Sequence, residues 1–134
     1  MDIFAYEDLK EGLTRYNKSA GKPRGNEIVS LPPKEPTYPH TVFQEIRNVG
    51  TNLNSDFERV SSVGYSARIY AKDKGKIDKQ TIAREIAQMV DNYMRHFKLT
   101  RISFNANESI NDNSIFEIIM TYSGNLHENR RNFI

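Results

Sequence analysis

Cysteine is missing from the 134-residue sequence. Its absence excludes disulfide bonds, a thiolate nucleophile and a zinc ribbon, and it suits a reducing cytoplasm. Long apolar runs are missing too, because no stretch approaches the roughly 20 residues of a membrane-spanning helix. The first residues, Met1 to Phe4, lack the basic and then apolar order of a signal peptide. We therefore expect a soluble protein that is not exported and has no membrane partner.

An excess of charge of one sign is also missing. Lys and Arg number 19 against 17 Asp and Glu, so the net charge is only +2. A dedicated nucleic-acid binder is usually far more basic. With 37% hydrophobic and 27% charged residues the chain has the composition of a folded protein. Its length predicts one domain over residues 1–134, which buries about two thirds of its unfolded surface.

Residues that carry catalysis are scarce and scattered. The three histidines, His40, His96 and His127, have no evident acid or base partner in the sequence. No two histidines have the i, i+4 spacing of metal ligands on a helix, and no glycine-rich phosphate loop is present. We therefore predict no catalytic residue, no metal and no cofactor, and we expect that the protein is not an enzyme.

The clearest pattern runs from Val63 to Phe97. Apolar residues alternate from Val63 to Ala71, which is the period of a strand with one buried face. The apolar residues of the next segment recur at spacings of three and four, on one stripe of a helix. These are Ile82, Ile86, Met89, Val90, Tyr93 and Phe97. The pattern predicts a strand over Arg59 to Lys72 and a helix that covers it, with Asp78 as the N-cap whose carboxylate accepts backbone N–H groups.

Weaker patterns predict the remaining elements. Apolar spacing from Tyr6 to Tyr16 predicts a short N-terminal helix, although Gly12 costs about 1 kcal/mol relative to Ala. Further strands are predicted at Thr41 to Arg47, Thr100 to Ala106 and Phe116 to Tyr122, the last two as a hairpin. A polar loop is expected at Asn48 to Phe57, and the phase slip at Ser61 and Ser62 suggests a bulge. The fold class is therefore α+β: a four-stranded, largely antiparallel sheet with the long helix on one face and the short helix at the N-terminus.

Two segments outside this core predict contacts with other molecules. All five prolines lie between residues 18 and 39, which predicts an extended arm. A polar tail, residues 125–134, ends in Phe133 and Ile134. We expect that deleting Lys18 to Pro36 leaves folding intact but weakens assembly.

The sheet face turned away from the long helix is predicted to be mixed in character. It carries Phe43, Tyr70, Ile115 and Ile119 among Glu45, Arg47, Arg68, Arg101 and Glu117. Interleaved aromatic and Arg side chains are typical of protein interfaces, whereas the alternative is that the N-terminal helix covers this face. The candidate assembly interface consists of Phe43, Arg47, Arg68, Tyr70, Ile119, Phe133 and Ile134.

A local basic cluster, Lys72, Lys74, Lys76 and Lys79, offers a different function. It could meet phosphates in a small nucleic-acid-binding module, or it could be a solvated turn diluted by Asp73 and Asp78. No glycine and aromatic run typical of RNA-recognition folds accompanies it.

Four blocks of the sequence resemble the tail terminators, or tail-to-head joining proteins, of long-tailed bacteriophages. The blocks begin at Tyr38 (YPHTVFQEI), Tyr65 (YSARIYA), Ile82 (IAREI) and Phe116 (FEIIMTY). The resemblance spans roughly Tyr38 to Ser123 and depends on the order of the blocks, without an invariant chemical motif.

The resemblance implies a virion protein of the tail or neck, assembled in the cytoplasm of the bacterial host. Its subunits would close into a homo-oligomeric ring, generally a hexamer, at the head-proximal end of the tail tube. The ring would stop tube polymerisation and contact the tail tube protein and a neck stopper or connector protein. DNA would pass through it without specific binding. The alternative within the same class is another neck component, a stopper or adaptor.

Overall fold

The computed structural model of the protein describes residues 5–52, 59–127 and 132–134. The helices are α1 (Ala5–Ser19) and α2 (Lys79–His96), and a single 3₁₀ turn covers Pro23–Gly25. The strands are β1 (Glu27–Val29), β2 (His40–Asn52), β3 (Arg59–Ala71), β4 (Thr100–Glu108), β5 (Phe116–His127) and β6 (Asn132–Phe133). The predicted α+β class is confirmed at this level.

The strands of the described residues form one mixed sheet in the order β1-β2-β3-β5-β4. The four long strands are antiparallel to their neighbours, as predicted. The sequence did not predict the short β1, which is parallel to β2, or the two-residue β6, which pairs with the end of β5. Both short strands extend the sheet beyond the predicted four.

The core lies between the sheet and the two helices. The helix-facing residues of β3, among them Tyr65, Ala67 and Ile69, are fully buried in one cluster with Ile82 and Ile86 of α2. The alternation in β3 and the helical stripe in α2 therefore meet as the sequence predicted. The side of the sheet that bears α1 and α2 is called the helix face below, and the other side is called the outer face.

α1 packs beside α2 on the helix face. Leu9 and Leu13 belong to the same buried cluster, and the Tyr93 hydroxyl donates a hydrogen bond to the Leu9 carbonyl at 3.0 Å. The alternative that the N-terminal helix covers the outer face is therefore wrong. A helix with this apolar stripe buries more apolar surface when it joins the existing core than when it covers a polar sheet face.

The proline-rich arm is tied into the fold at its first half. Buried Asn26 accepts a hydrogen bond from Thr41 Oγ1 at 3.0 Å and exchanges hydrogen bonds with Asn17 at 2.9 and 3.0 Å. Two residues later, Ile28 of β1 is in the core cluster. These contacts argue against the expectation that residues 18–36 can be deleted without harm to the fold, because the deletion would remove a satisfied buried network and a strand.

β2 is longer than predicted and its faces are assigned differently. Residues 48–52 continue the strand, and residues 53–57 of the predicted loop lie outside the described residues. Phe43 pairs with Ala67 and so lies on the helix face, whereas Val42 lies on the outer face. The register shifts between Glu45 and Arg47, so the bulge is in β2 and the predicted bulge at 61–62 is wrong.

The start of α2 is capped by a different carboxylate from the predicted one. Asp78 occupies the N-cap position, but its side chain makes no capping hydrogen bond. Asp73 instead accepts the Lys79 backbone N–H at 2.8 Å. The turn between the two residues brings Asp73 back over the helix N-terminus, where a negative charge is stabilised by the helix dipole.

Candidate assembly surfaces

The outer face is the part of the sheet that the helices leave uncovered. Its registers place Val42, Arg68 and Ile119 in one row and Arg47, Gly64 and Ser123 in another. Arg47 and Arg68 are exposed, while Ile119 is partly exposed. The prediction that these three candidate side chains share the face opposite the helices is confirmed by the register, and their role in assembly stays a prediction.

Tyr70 also lies on the outer face, in a row with His40 and Glu117. The His40 ring stacks on Tyr70 with centroids 5.1 Å apart, and the ring of Tyr38 packs on His40 at 5.2 Å. Lys72 Nζ lies 4.7 Å from the centre of the Tyr38 ring. The end of the arm is therefore held against this row by aromatic contacts.

Burial changes the proton affinity of two groups in this row. It raises the pKa of Tyr70, with a further rise from the neighbouring Glu117 carboxylate. Burial lowers the pKa of His40, partly offset by its hydrogen bond with the Thr37 carbonyl, whose Nδ1 to O distance is 3.0 Å. Both shifts favour the neutral form of the side chain, because burial penalises the charged form.

Phe43, a candidate interface residue, does not lie on a surface. Its side chain is fully buried and its ring stacks on Tyr6 at 5.6 Å and on Tyr65 at 5.8 Å. The Tyr6 hydroxyl donates a hydrogen bond to the Phe43 carbonyl. The prediction that Phe43 lies on the uncovered face is therefore wrong, because the strand presents the larger aromatic side chain to the core.

The two C-terminal candidates have different environments. Phe133 is partly buried, and its ring packs edge-on against Tyr65 at 6.2 Å and Phe97 at 6.3 Å. Ile134 is 50% exposed, although its backbone N–H donates to the Asn125 carbonyl at 2.7 Å. Residues 128–131 of the predicted tail lie outside the described residues. Phe133 therefore packs into the fold, whereas Ile134 is exposed.

Two arginines pair with a buried carboxylate at the opposite sheet edge. Asp91 of α2, 3% exposed, accepts a hydrogen bond from the Tyr122 hydroxyl at 2.8 Å. Its carboxylate also meets Arg95 at 2.9 Å and Arg101 at 3.5 Å. Arg101 is thus on the helix face, and the prediction that it lies on the uncovered face is wrong. Burial and the adjacent Asp91 carboxylate raise the pKa of Tyr122.

A cleft of about 340 Å³ opens beside this group. It is lined by Arg84, Ala87, Gln88, Asp91, Arg101 and Phe104. The guanidinium carbons of Arg84 and Arg101 lie 6.0 and 5.4 Å from the centre of the Phe104 ring. Sequence reasoning missed this cleft because its residues come from α2 and β4, and neither segment alone has a binding motif. The hydrophobic Phe104 among exposed positions of β4 was the available signal.

A larger cleft, about 660 Å³, lies between α1, the end of α2 and the C-terminus. Its apolar wall includes Tyr16, Tyr93, Phe97 and Phe133, and its rim includes Arg15. Burial raises the pKa of Tyr93 to about 12, so its hydroxyl stays protonated at neutral pH. The aromatic rings mainly pack on each other, with 4.9 Å between Tyr93 and Phe97 and 5.6 Å between Tyr16 and Tyr93.

The histidines lie in separate parts of the fold. His40 pairs with Tyr70 at one end of β3, and His127 pairs with Val60 at the other end. His96 is exposed in the last turn of α2, next to the Phe97 ring. Among the described residues no group of three or more His, Asp or Glu side chains is arranged to hold a metal ion. Within the same residues, neither helix has the length and apolarity required to cross a membrane.

Comparison with known proteins adds no family to these observations. No family model and no curated protein matches the chain.

Proposed function

We propose that this chain is a structural, non-enzymatic subunit of a bacteriophage tail. It forms a homo-oligomeric ring at the head-proximal end of the tail tube, where it ends polymerisation and joins the tail to the neck. The observation that carries the proposal is a sheet with two opposite edges that no strand of the described residues covers along most of their length. Opposite edges on one subunit allow head-to-tail contacts, and such contacts close into rings when the rotation between copies permits.

The outer face supports the same proposal. Arg47, Arg68 and Ile119 stand on a broad surface beside the partly buried Tyr70. Charged, aromatic and apolar side chains in one patch suit contact with other virion proteins better than a small-molecule pocket. Exposed Ile134 lies at the end of the chain and gives a further contact point.

The lysines of the basic turn support nucleic-acid binding less well than the sheet edges and the outer face support assembly. Lys74 Nζ donates to the Arg24 carbonyl at 2.9 Å, and Lys79 Nζ donates to the Asn113 carbonyl at 2.6 Å. Lys79 also pairs with Glu108 at 3.5 Å. Lysines used within the fold are less available for phosphate contacts, which favours the structural function.

The proposal is tested by the association state of the purified full-length chain. Sedimentation velocity and negative-stain electron microscopy are expected to show closed rings, and the rings are expected to bind the ends of purified tail tubes. Rings that bind a neck connector but not tube ends would indicate a stopper or adaptor. A chain that stays monomeric at high concentration, or that binds generic duplex DNA with a steep salt dependence, would contradict the proposal.

A further inference from the structure

The cleft between α2 and β4 has more positive than negative charge. Its single carboxylate, Asp91, is already engaged by Arg95 and Arg101. Arg84 has no ion-pair partner within the described part of the chain and contacts the Phe104 ring instead. A carboxylate that entered this cleft would meet two guanidinium groups beside an aromatic wall. Arg is well suited to such pairing because its planar fork donates to a carboxylate from two nitrogens.

The opposite edge of the sheet has a carboxylate on the matching face. Glu45 of β2 is exposed and pairs in register with Tyr65, so it lies on the helix face, and the prediction that it lies on the uncovered face is wrong. The Arg101 and Phe104 side chains lie on the same face, because they pair with Tyr122 and Met120. When two copies place these edges side by side with their helix faces on the same side, the acidic and basic groups therefore lie on the same side of the contact.

The charged form of the Glu45 carboxylate is disfavoured by its surroundings, so a nearby cation would stabilise it. Burial raises the pKa of Tyr6, and the negative charges of Glu45 and of Glu7, in the first turn of α1, raise it further. Partial burial raises the pKa of Glu45 itself, although the Asn48 amide donates to it at 3.4 Å. Lys10 and the Arg15–Glu11 pair lie nearby on α1. On the neighbouring surface of α1, Glu7 and Glu11 are balanced by Lys10 and Arg15, so the charge of Glu45 is unbalanced on the helix face, while Arg47 of the same strand adds its positive charge on the outer face.

Strand directions allow the two edges to meet. β2, β3, β5 and β4 alternate in direction, so β4 runs opposite to β2. A second copy in the same orientation would place its β2 antiparallel to β4, the more stable arrangement. β1 covers only residues 40–42 of β2, and β4 pairs with β5 alone among the described strands.

Each of the two edge strands also has a register shift next to its charged residue, Glu45 in β2 and Arg101 in β4. The register shifts between Glu45 and Arg47 in β2 and between Arg101 and Ser103 in β4. Bulges re-aim side chains and interrupt backbone pairing at a sheet edge. Recognition at these two positions therefore depends on the side chains more than on a continuous ladder.

We propose that the β4 edge of one copy binds the β2 edge of a second copy, with Glu45 of the second copy between Arg84 and Arg101 of the first. This inference rests on the proposed function and assigns the contact that closes the ring. The occupant of the cleft is thus a second copy of this chain, because the two edges match in face, direction and charge. The contact is head-to-tail, so every copy uses both surfaces.

Charge reversal on the full-length chain tests the pairing. Arg84→Glu and Glu45→Arg each place like charges in the contact and are expected to raise the dissociation constant of the assembly at least tenfold in sedimentation velocity. The double variant R84E/E45R is expected to recover association. An equimolar mixture of the two single variants is expected to recover it as well, because unlike variants then meet in alternation.

Lys76→Glu is the matched control. It makes the same change of charge at an exposed residue of the turn before α2, outside both β2 and β4, and is expected to leave association unchanged. Circular dichroism and thermal unfolding are expected to match wild type for Arg84→Glu, whose side chain is exposed. These measurements separate lost association from lost folding.

The outcomes separate the inference from the proposed function. Wild-type rings together with an Arg84→Glu variant that still assembles normally would overturn the inference and leave the ring proposal standing. Loss of assembly without recovery in the double variant or the mixture would overturn the pairing of Glu45 with this cleft. A wild-type chain that stays monomeric would overturn both.

Discussion

At the scale of single residues, Gly12 shows how a contact across the fold reverses a local preference. Helix propensity alone favours Ala over Gly inside α1 by about 1 kcal/mol. A Cβ atom at position 12 would lie 2.2 Å from the Tyr93 hydroxyl oxygen. The Tyr93 hydroxyl donates a hydrogen bond to the Leu9 carbonyl, and the Tyr93 ring packs against Tyr16 and Phe97. The glycine therefore permits α1 and α2 to approach each other.

Gly12→Ala is expected to lower the free energy of unfolding. Overpacking of this kind costs about 1–3 kcal/mol, which exceeds the gain in propensity. Urea denaturation followed by circular dichroism measures the change. In a Tyr93→Phe background the nearest remaining ring atom would be 3.3 Å away, so the cost of the same substitution is expected to fall by at least half. An equal cost in both backgrounds would contradict this explanation.

At the scale of secondary-structure elements, α2 depends on a cap from outside the helix. The first N–H groups of a helix have no partner within it, and an acidic side chain nearby both accepts a hydrogen bond and stabilises the dipole. Asp73 fills that role from the preceding turn, although Asp78 is the residue at the N-cap position. The turn is also closed by a pair of backbone hydrogen bonds between Lys74 and Ile77, at 3.0 and 3.1 Å.

Asp73→Ala is therefore expected to destabilise the protein by about 1 kcal/mol, the usual cost of removing a helix cap. Asp78→Ala is expected to cost less, because its side chain makes no capping hydrogen bond. Asp73→Asn keeps an acceptor oxygen and is expected to retain most of the stability. Thermal unfolding of the three variants gives the comparison, and a larger loss for Asp78→Ala than for Asp73→Ala would show that the assignment is wrong.

At the scale of the whole molecule, the chain returns its C-terminus to the sheet. Phe133 joins the core cluster through Tyr65 and Phe97, while Ile134 remains 50% exposed. The last two residues thus differ in purpose although both are large and apolar. The first packs in the core, and the second is exposed at the surface.

Phe133→Ala is expected to lower the free energy of unfolding by about 1–3 kcal/mol, less than for a fully buried Phe because the side chain is only partly buried. Ile134→Ala is expected to change it by less than about 0.5 kcal/mol, as is usual for an exposed side chain. Chemical denaturation measures both. Equal losses in the two variants would mean that the C-terminus does not pack as described.

Several elements were predictable because their signals are local. The alternation in β3 and the stripe of α2 each lie within one segment, and burial of one face follows from the period alone. The prediction of β5 was correct for the same reason, although the strand continues past Gly124 to His127. The candidate residues Arg68, Tyr70 and Ile119 were placed on the outer face correctly because they alternate with the buried residues of these strands.

Elements that depend on distant partners were not predictable. β1 exists because Asn26 bonds to Asn17 and Thr41, so a polar and proline-rich segment becomes a parallel strand. Phe43 was assigned to the wrong face because β2 has two adjacent apolar residues, Val42 and Phe43, and only the pairing of Phe43 with Ala67 shows which of them faces the helices. The cleft beside Asp91 likewise requires α2 and β4 to be adjacent.

The sequence by itself determined the α+β class, the order of the long elements and the buried stripes, because each follows from the spacing of apolar residues within a short segment. The tertiary structure alone decided which carboxylate caps α2, which aromatic residues are buried and where the charged sheet edges lie. Those features depend on contacts between residues that are far apart in the chain, and local periodicity carries no information about them.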